Sequence, residues 1–213
     1  MVTGLTIETF QRLQLNAGIF LKNFDWTQYK TVEELAAAIE EAAVNPENRM
    51  GATRGGGSFV ATPETRNIEA DGKRYEFVGS TVYDSWNIRM TGSLLETTPG
   101  NVRDVLSTAD IDSEKDGVTV LKLRTQPKSE DYMHLTWIGD TSKGFVLIDL
   151  KNALNTVGMN FTFADKGEGT LPFEFRAHQD KVTDYDEAPV KIVFIAPVET
   201  EQTNTEGDET DAE

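Results

Sequence analysis

The chain contains no cysteine among its 213 residues. That excludes disulfides, thiolate metal sites and cysteine nucleophiles, and it leaves the redox compartment open. Histidine is nearly absent too, with only His134 and His178. Neither lies in an H-E-x-x-H run, and no serine lies in a G-x-S-x-G turn, so both histidines are expected to be structural. Basic residues are scarce: 20 Lys and Arg face 36 Asp and Glu, a net charge of −16. Such a balance argues against holding nucleic acid by phosphate neutralisation, and against anionic membrane surfaces. Long apolar runs are missing as well, none approaching the ~20 residues of a membrane span. The opening MVTGLTIETFQRLQLN lacks a basic segment followed by an apolar one, so no secretory signal and no membrane anchor are expected, and synthesis in a cytoplasm is.

What is present suits one β-rich domain with arms. Thr31 and Glu34 form a T-x-x-E capping box ahead of Val32, Leu35, Ile39 and Ala42 or Ala43, which recur at helical spacing until Asn45-Pro46. This predicts a helix over about 31–45, small-sided enough to pack outside something larger. A second, shorter helix is expected from Pro99, with Thr98 as N-cap and Val102, Val105 and Leu106 on its apolar face. Elsewhere the period is two. Strands are expected within 13–24, 59–68, 74–82, 86–97, 118–124, 132–139, 144–150, 156–164, 171–177 and 190–195. Asp71-Gly72 is a hairpin signal, and Tyr75, Phe77 and Val82 mark a candidate buried face. Residues 1–12 read as an N-terminal arm and 13–197 as the domain. Residues 198–213 read as a disordered tail holding seven acids and no base.

Three chemical readings fail on particular residues. Gly51-Ala-Thr-Arg-Gly-Gly56-Gly57-Ser58 resembles a phosphate-binding loop, but Gly57 stands where lysine must reach the phosphates. The stretch also follows a helix and opens a strand, the reverse of that motif; the expectation is a flexible glycine-rich loop over 49–58. Asp112 to Gly117 begins like a calcium loop, yet its twelfth position is Leu123 rather than a bidentate Glu, so an acidic turn before a strand is expected. Asp184-Tyr185-Asp186-Glu187 reads as a solvated loop. No carboxylate pair stands out by spacing. No catalytic, metal or cofactor residue is therefore singled out.

Three stretches together carry a resemblance: "LNAGIFLKNFD" (Leu15 to Asp25), "GATRGGGSFVATPETRNIEADGKR" (Gly51 to Arg74) and "FVGSTVYDSWNIRMTGSLLETTP". In combination they resemble the major tail tube proteins of long-tailed bacteriophages, most clearly over residues 15–110. The resemblance implies a β-sandwich or barrel-like domain with a flanking helix. It also implies subunits that close into hexameric rings and stack as a tube around a tape-measure protein. Terminator and distal tail or baseplate proteins would bound such a tube, and DNA would pass through it without specific binding. The protein would belong to the virion tail, assembled in the host cytoplasm, with no turnover. Candidate stacking-loop residues are Gly51, Thr53, Arg54, Gly55, Gly56, Gly57 and Ser58. Candidate N-terminal contact residues are Leu15, Asn16, Ala17, Gly18, Asn23, Phe24 and Asp25. The alternatives are an inner tube of a contractile tail, phage-like bacteriocin or secretion system, and a monomeric carbohydrate-binding β-sandwich. The last would expose aromatics such as Trp86, Trp137 and Tyr132, whereas core packing is expected for both tryptophans.

Overall fold

A computed structural model describes residues 13, 16–142, 144–161, 165, 167–180 and 187–195. The N-terminal arm, Leu15, residues 184–186 of the acidic loop and the C-terminal tail lie outside the described residues. Among the described residues, nine strands and two α-helices occur in the order β1 (Ile19–Lys22), α1 (Val32–Val44), β2 (Thr53–Asn67), β3 (Thr81–Leu94), α2 (Pro99–Leu106), β4 (Ala109–Lys115), β5 (Val118–Leu123), β6 (Met133–Thr141), β7 (Gly144–Asn155), β8 (Leu171–Arg176) and β9 (Val190–Ile195). The fold is mainly β, as expected.

The principal sheet runs β1-β6-β7-β8-β3-β2, with β9 also paired to β7, and every pairing is antiparallel. Strand β7 joins two halves. Phe145 to Leu150 lie between β6 and β9, while Leu154 and Asn155 pair with β8. The switch occurs at a bulge, where Leu150 faces Leu135 but Ala153 faces Met133. Asn152 there has φ +47°, a left-handed conformation that asparagine tolerates better than most residues.

The half made of β1, β6, β7 and β9 carries apolar residues on both faces. Phe20, Leu135 and Leu150 point into the main core with Met90, Phe173 and Phe175 of the other half. Leu21, Ile138 and Leu147 point the other way, under α1, where Leu35, Ile39 and Ala42 cover them. Double-sided burial explains the near-continuous apolar run FVLIDL, since a strand covered on both faces has no polar alternation.

Both helices begin where the sequence marks them. The Thr31 hydroxyl accepts from the Glu34 N–H at 3.2 Å, but the Glu34 carboxylate reaches back one residue further than a capping box requires, to the Lys30 N–H at 3.0 Å. The Thr98 hydroxyl likewise accepts the Asn101 N–H.

Several expectations need correction. The loop expected over 49–58 is strand from Thr53 onward, so Gly55, Gly56 and Gly57 lie inside β2. No strand covers 74–80: residues 68–80 form the connection between β2 and β3, and Asp71-Gly72 is one turn within it. Tyr75 and Phe77 are consequently exposed, because no described residue packs over them. The first strand shrinks to 19–22, and residues 156–161 are outside any strand, with 162–164 beyond the described residues. Asp112 to Lys115 belong to β4, leaving Asp116-Gly117 as a tight turn to β5. Trp86 is half exposed rather than in the core.

Candidate assembly interface

The glycine-rich stretch is an edge-strand bulge. Thr53 faces Leu94 and Gly57 faces Gly92, so Arg54, Gly55 and Gly56 oppose Ser93 alone. The surplus is absorbed by Gly55 and Gly56 at φ +74° and +73°, where a side chain would strain the backbone. Gly57 serves packing instead. A methyl there would lie 2.5 Å from the Thr91 carbonyl oxygen and 2.8 Å from Phe20 Cζ. Its partner Gly92 is covered by Phe173, and the Phe20 and Phe173 rings meet edge to face at 5.2 Å. Two rings thus occupy the space of two missing side chains. The Ser58 and Thr91 hydroxyls bond across the strands at 2.7 Å. Gly51 holds its turn against Glu96, whose carboxylate accepts the Ala52 N–H. Arg54 pairs at 2.9 Å with Glu168 of its own chain, and both side chains are exposed.

The N-terminal candidates divide. Asn16 is pinned to β6: its side chain donates to Asp140 and accepts the Gly18 and Asp140 N–H groups. The Ala17 carbonyl accepts from Trp137 Nε1 at 3.1 Å, and Gly18, at φ +71°, lies flat on that indole. Asn23, Phe24 and Asp25 are each engaged within the chain, and Phe24 alone of them is buried. Asn23 and His134 exchange hydrogen bonds, through the Asn23 N–H to the His134 carbonyl and the His134 N–H to Asn23 Oδ1. Phe24 is buried beneath α1. Asp25 caps a short 3-10 turn at 26–28, where the Thr27 hydroxyl, the Gln28 amide and the Thr27 N–H hold its carboxyl below the usual range. These three secure the chain to itself.

The structure brings Ala17 and Gly56 together. A methyl on Gly56 would lie 3.7 Å from Ala17 Cβ. They rim an open cavity of about 540 Å³ between the two sheet halves, floored by Phe20, Phe59, Met90, Trp137 and Ile148. The apolar floor continues along β9, opposite Ile148 and Val146, to the exposed Ile192 and Phe194.

Sequence reasoning missed the other half of the surface. Strand β3 pairs with β8 only from Arg89 to Leu94. Beyond that point, residues 61–67 and 81–87 form a two-stranded ribbon that leaves the domain. One face of the ribbon continues the core side, with Pro63 opposite Trp86 and Thr65 opposite Tyr83. An extra residue, Asp84, bulges between Ser85 and Tyr83 and is held by Arg66 at 2.9 Å. The bulge rotates Tyr83 onto the same face as Trp86, and the rings stack at 5.7 Å. At the tip, the Ser80 N–H closes a turn on the Phe77 carbonyl with Gly79 at φ +87°. Val78 projects wholly into solvent, flanked by exposed Phe77, Tyr75 and Ile68.

His134 and His178 each contact other parts of the chain. His134 Nε2 lies 2.5 Å from Oδ1 of buried Asp149, which also accepts from the Thr136 hydroxyl and Trp26 Nε1. His178 Nδ1 lies 3.1 Å from the Asn152 carbonyl oxygen, and its ring meets Tyr132 edge to face. Among the described residues no cluster of three His, Asp or Glu side chains is arranged to hold a metal ion.

No protein-family model matches the chain, and no curated protein matches it. Among solved structures it is similar to a chain described as "Virion of native gene transfer agent (GTA) particle". The identity is 11% and the TM-score 0.41, over 85% of this chain and 100% of that one.

Proposed function

We propose that this chain is a tail tube subunit of a long-tailed phage-like particle, a structural protein without turnover. Copies close into hexameric rings that stack around a tape-measure protein, between a terminator and distal tail proteins. The observation that carries this reading is the overhanging ribbon of residues 61–67 and 81–87, which bears Pro63, Tyr83 and Trp86 on one face and pairs with no third described strand. An isolated two-stranded hairpin is marginal in water, so an amphipathic ribbon of this length calls for a surface to lie on. The outer edges of β2 and β9 add to it, because no described strand pairs with either, and ring closure would satisfy such edges. The charge of −16 suits a conduit that DNA must traverse without sticking. The sequence resemblance over residues 15–110 supplies the family.

Electron microscopy of the concentrated purified protein tests the proposal. Rings or tubes about a hundred ångströms across, the size of six such domains in a ring, are expected. A monodisperse monomer of 23.6 kDa at every concentration would overturn it. The stacked Tyr83–Trp86 pair favours one second reading, a carbohydrate-binding β-sandwich using an exposed aromatic platform. That reading requires the monomer, with glycan binding lost in Trp86→Ala.

A further inference from the structure

We infer that residues 1–12 of this chain fold back at Asn16 and cover its own apolar cavity, with Leu5, Ile7 and Phe10 set against the floor. The contact is made within one subunit, so it neither requires nor excludes the tube-subunit proposal.

The cavity supplies the first half of the argument. Phe20, Phe59, Met90, Trp137 and Ile148 floor an opening of about 540 Å³ between the two sheet halves. An apolar surface of this kind favours an occupant, because covering it removes apolar area from water. The rim leaves room for a chain to cross. A methyl on Gly55 would meet no described atom within 4 Å, and one on Gly56 would meet Ala17 Cβ at 3.7 Å.

The route of the chain supplies the second half. Ala17 itself lines the cavity, so the segment ahead of Asn16 starts at its mouth. Asn16 forms a bend there: its side-chain oxygen accepts the Gly18 N–H, and its amide is anchored on Asp140. Phe10 stands seven residues from Ala17, a reach of at most about 25 Å, and Leu5 twelve residues, at most about 43 Å. Tethering at Ala17 makes the contact intramolecular, at an effective concentration on the order of millimolar.

Composition selects this occupant over the other terminal segment. Residues 1–12 hold one acid, Glu8, and one base, Arg12, beside Val2, Leu5, Ile7 and Phe10. Residues 199–213 hold seven acids, no base and no large apolar side chain, so their burial would desolvate charge and cover nothing apolar.

The cysteine-free sequence allows a single nitroxide at Thr9→Cys in the full-length protein. At a dilution where the protein elutes as a monomer, the label is expected to broaden the Trp137 indole N–H and Met90 methyl signals. It should spare the Trp86 indole on the outer ribbon. Adding Ile7→Ser and Phe10→Ser removes the apolar contacts but keeps the tether. That variant should recover both signals and raise the emission of an apolar dye. Equal broadening in it would reduce the effect to tethering and overturn the inference, as would no broadening in the parent. Mixing nitroxide-bearing protein with isotope-labelled protein that carries no nitroxide separates the copies. Broadening seen only in the mixture would put the segment in a second subunit's cavity and overturn the contact within one chain. A monomer at every concentration that shows the intramolecular broadening would overturn the tube proposal and leave this inference standing.

Discussion

Replacing Gly57 by alanine isolates what the glycine-rich stretch does for the fold. The added methyl would lie 2.5 Å from the Thr91 carbonyl oxygen and 2.8 Å from Phe20 Cζ, each well inside van der Waals contact. The carbonyl in particular cannot retreat without disturbing the pairing of β2 with β3. The carbonyl belongs to the paired strand β3, and Phe20 is 1% exposed and wedged against Phe173. Overpacking of a filled core costs about 1–3 kcal/mol, and the involvement of backbone places this substitution near the upper end. At 2–4 °C per kcal/mol for a chain of this size, the melting temperature should fall by roughly 4–12 °C. Gly100→Ala is the internal control. That residue is helical, a methyl on it would meet nothing nearer than Thr98 Oγ1 at 3.9 Å, and alanine should add about 0.5–1 kcal/mol of stability. Urea unfolding followed by far-ultraviolet circular dichroism measures both. A Gly57→Ala midpoint equal to wild type would refute the claim that the ring pair needs bare backbone at this position.

Thr31→Ala removes the hydroxyl that accepts the Glu34 N–H and should cost about 1 kcal/mol, read as a lower urea midpoint. Asp149→Ala, which deprives the Thr136 hydroxyl and Trp26 Nε1 of their acceptor and removes the carboxylate 2.5 Å from His134 Nε2, should cost about 1–3 kcal/mol with a change in tryptophan emission. At Asp131, burial raises the carboxyl, but the Arg124 guanidinium and the Lys128 N–H outweigh it and hold the group below its ordinary value. A depressed carboxyl contributes stability that is complete above the unfolded value of about 3.9 and is lost as pH falls toward the folded one. Asp131→Asn should therefore flatten the loss of stability between pH 5 and lower values of about 2, and an unchanged acid slope would refute the assignment.

Elements with local signals were legible in the sequence. Both helices start at threonine caps, and β8 and β9 begin at Leu171 and Val190 as expected; β8 alternates around a buried face of Leu171, Phe173 and Phe175. The stretch after Asn67 misled for a physical reason. Tyr75 and Phe77 have the spacing of a buried face, but spacing reports only that an apolar face exists, and no described part of this chain covers either. Trp86 misled in the same way. It continues the alternation of Ile88 and Met90 after the sandwich itself has ended.

The glycines needed long-range knowledge. As punctuation they predict a loop, and a loop of that kind would tolerate substitution anywhere. Within β2 they do two opposed jobs that only the pairing with β3 separates. Gly57 is glycine because rings of the core fill its side-chain space, whereas Gly55 is glycine because its backbone is left-handed and its side-chain space is empty. Gly55 and Gly56 thus leave bare, left-handed backbone at the rim of the apolar cavity, while no described residue covers Val78, Phe77 or Tyr75 at the ribbon's tip.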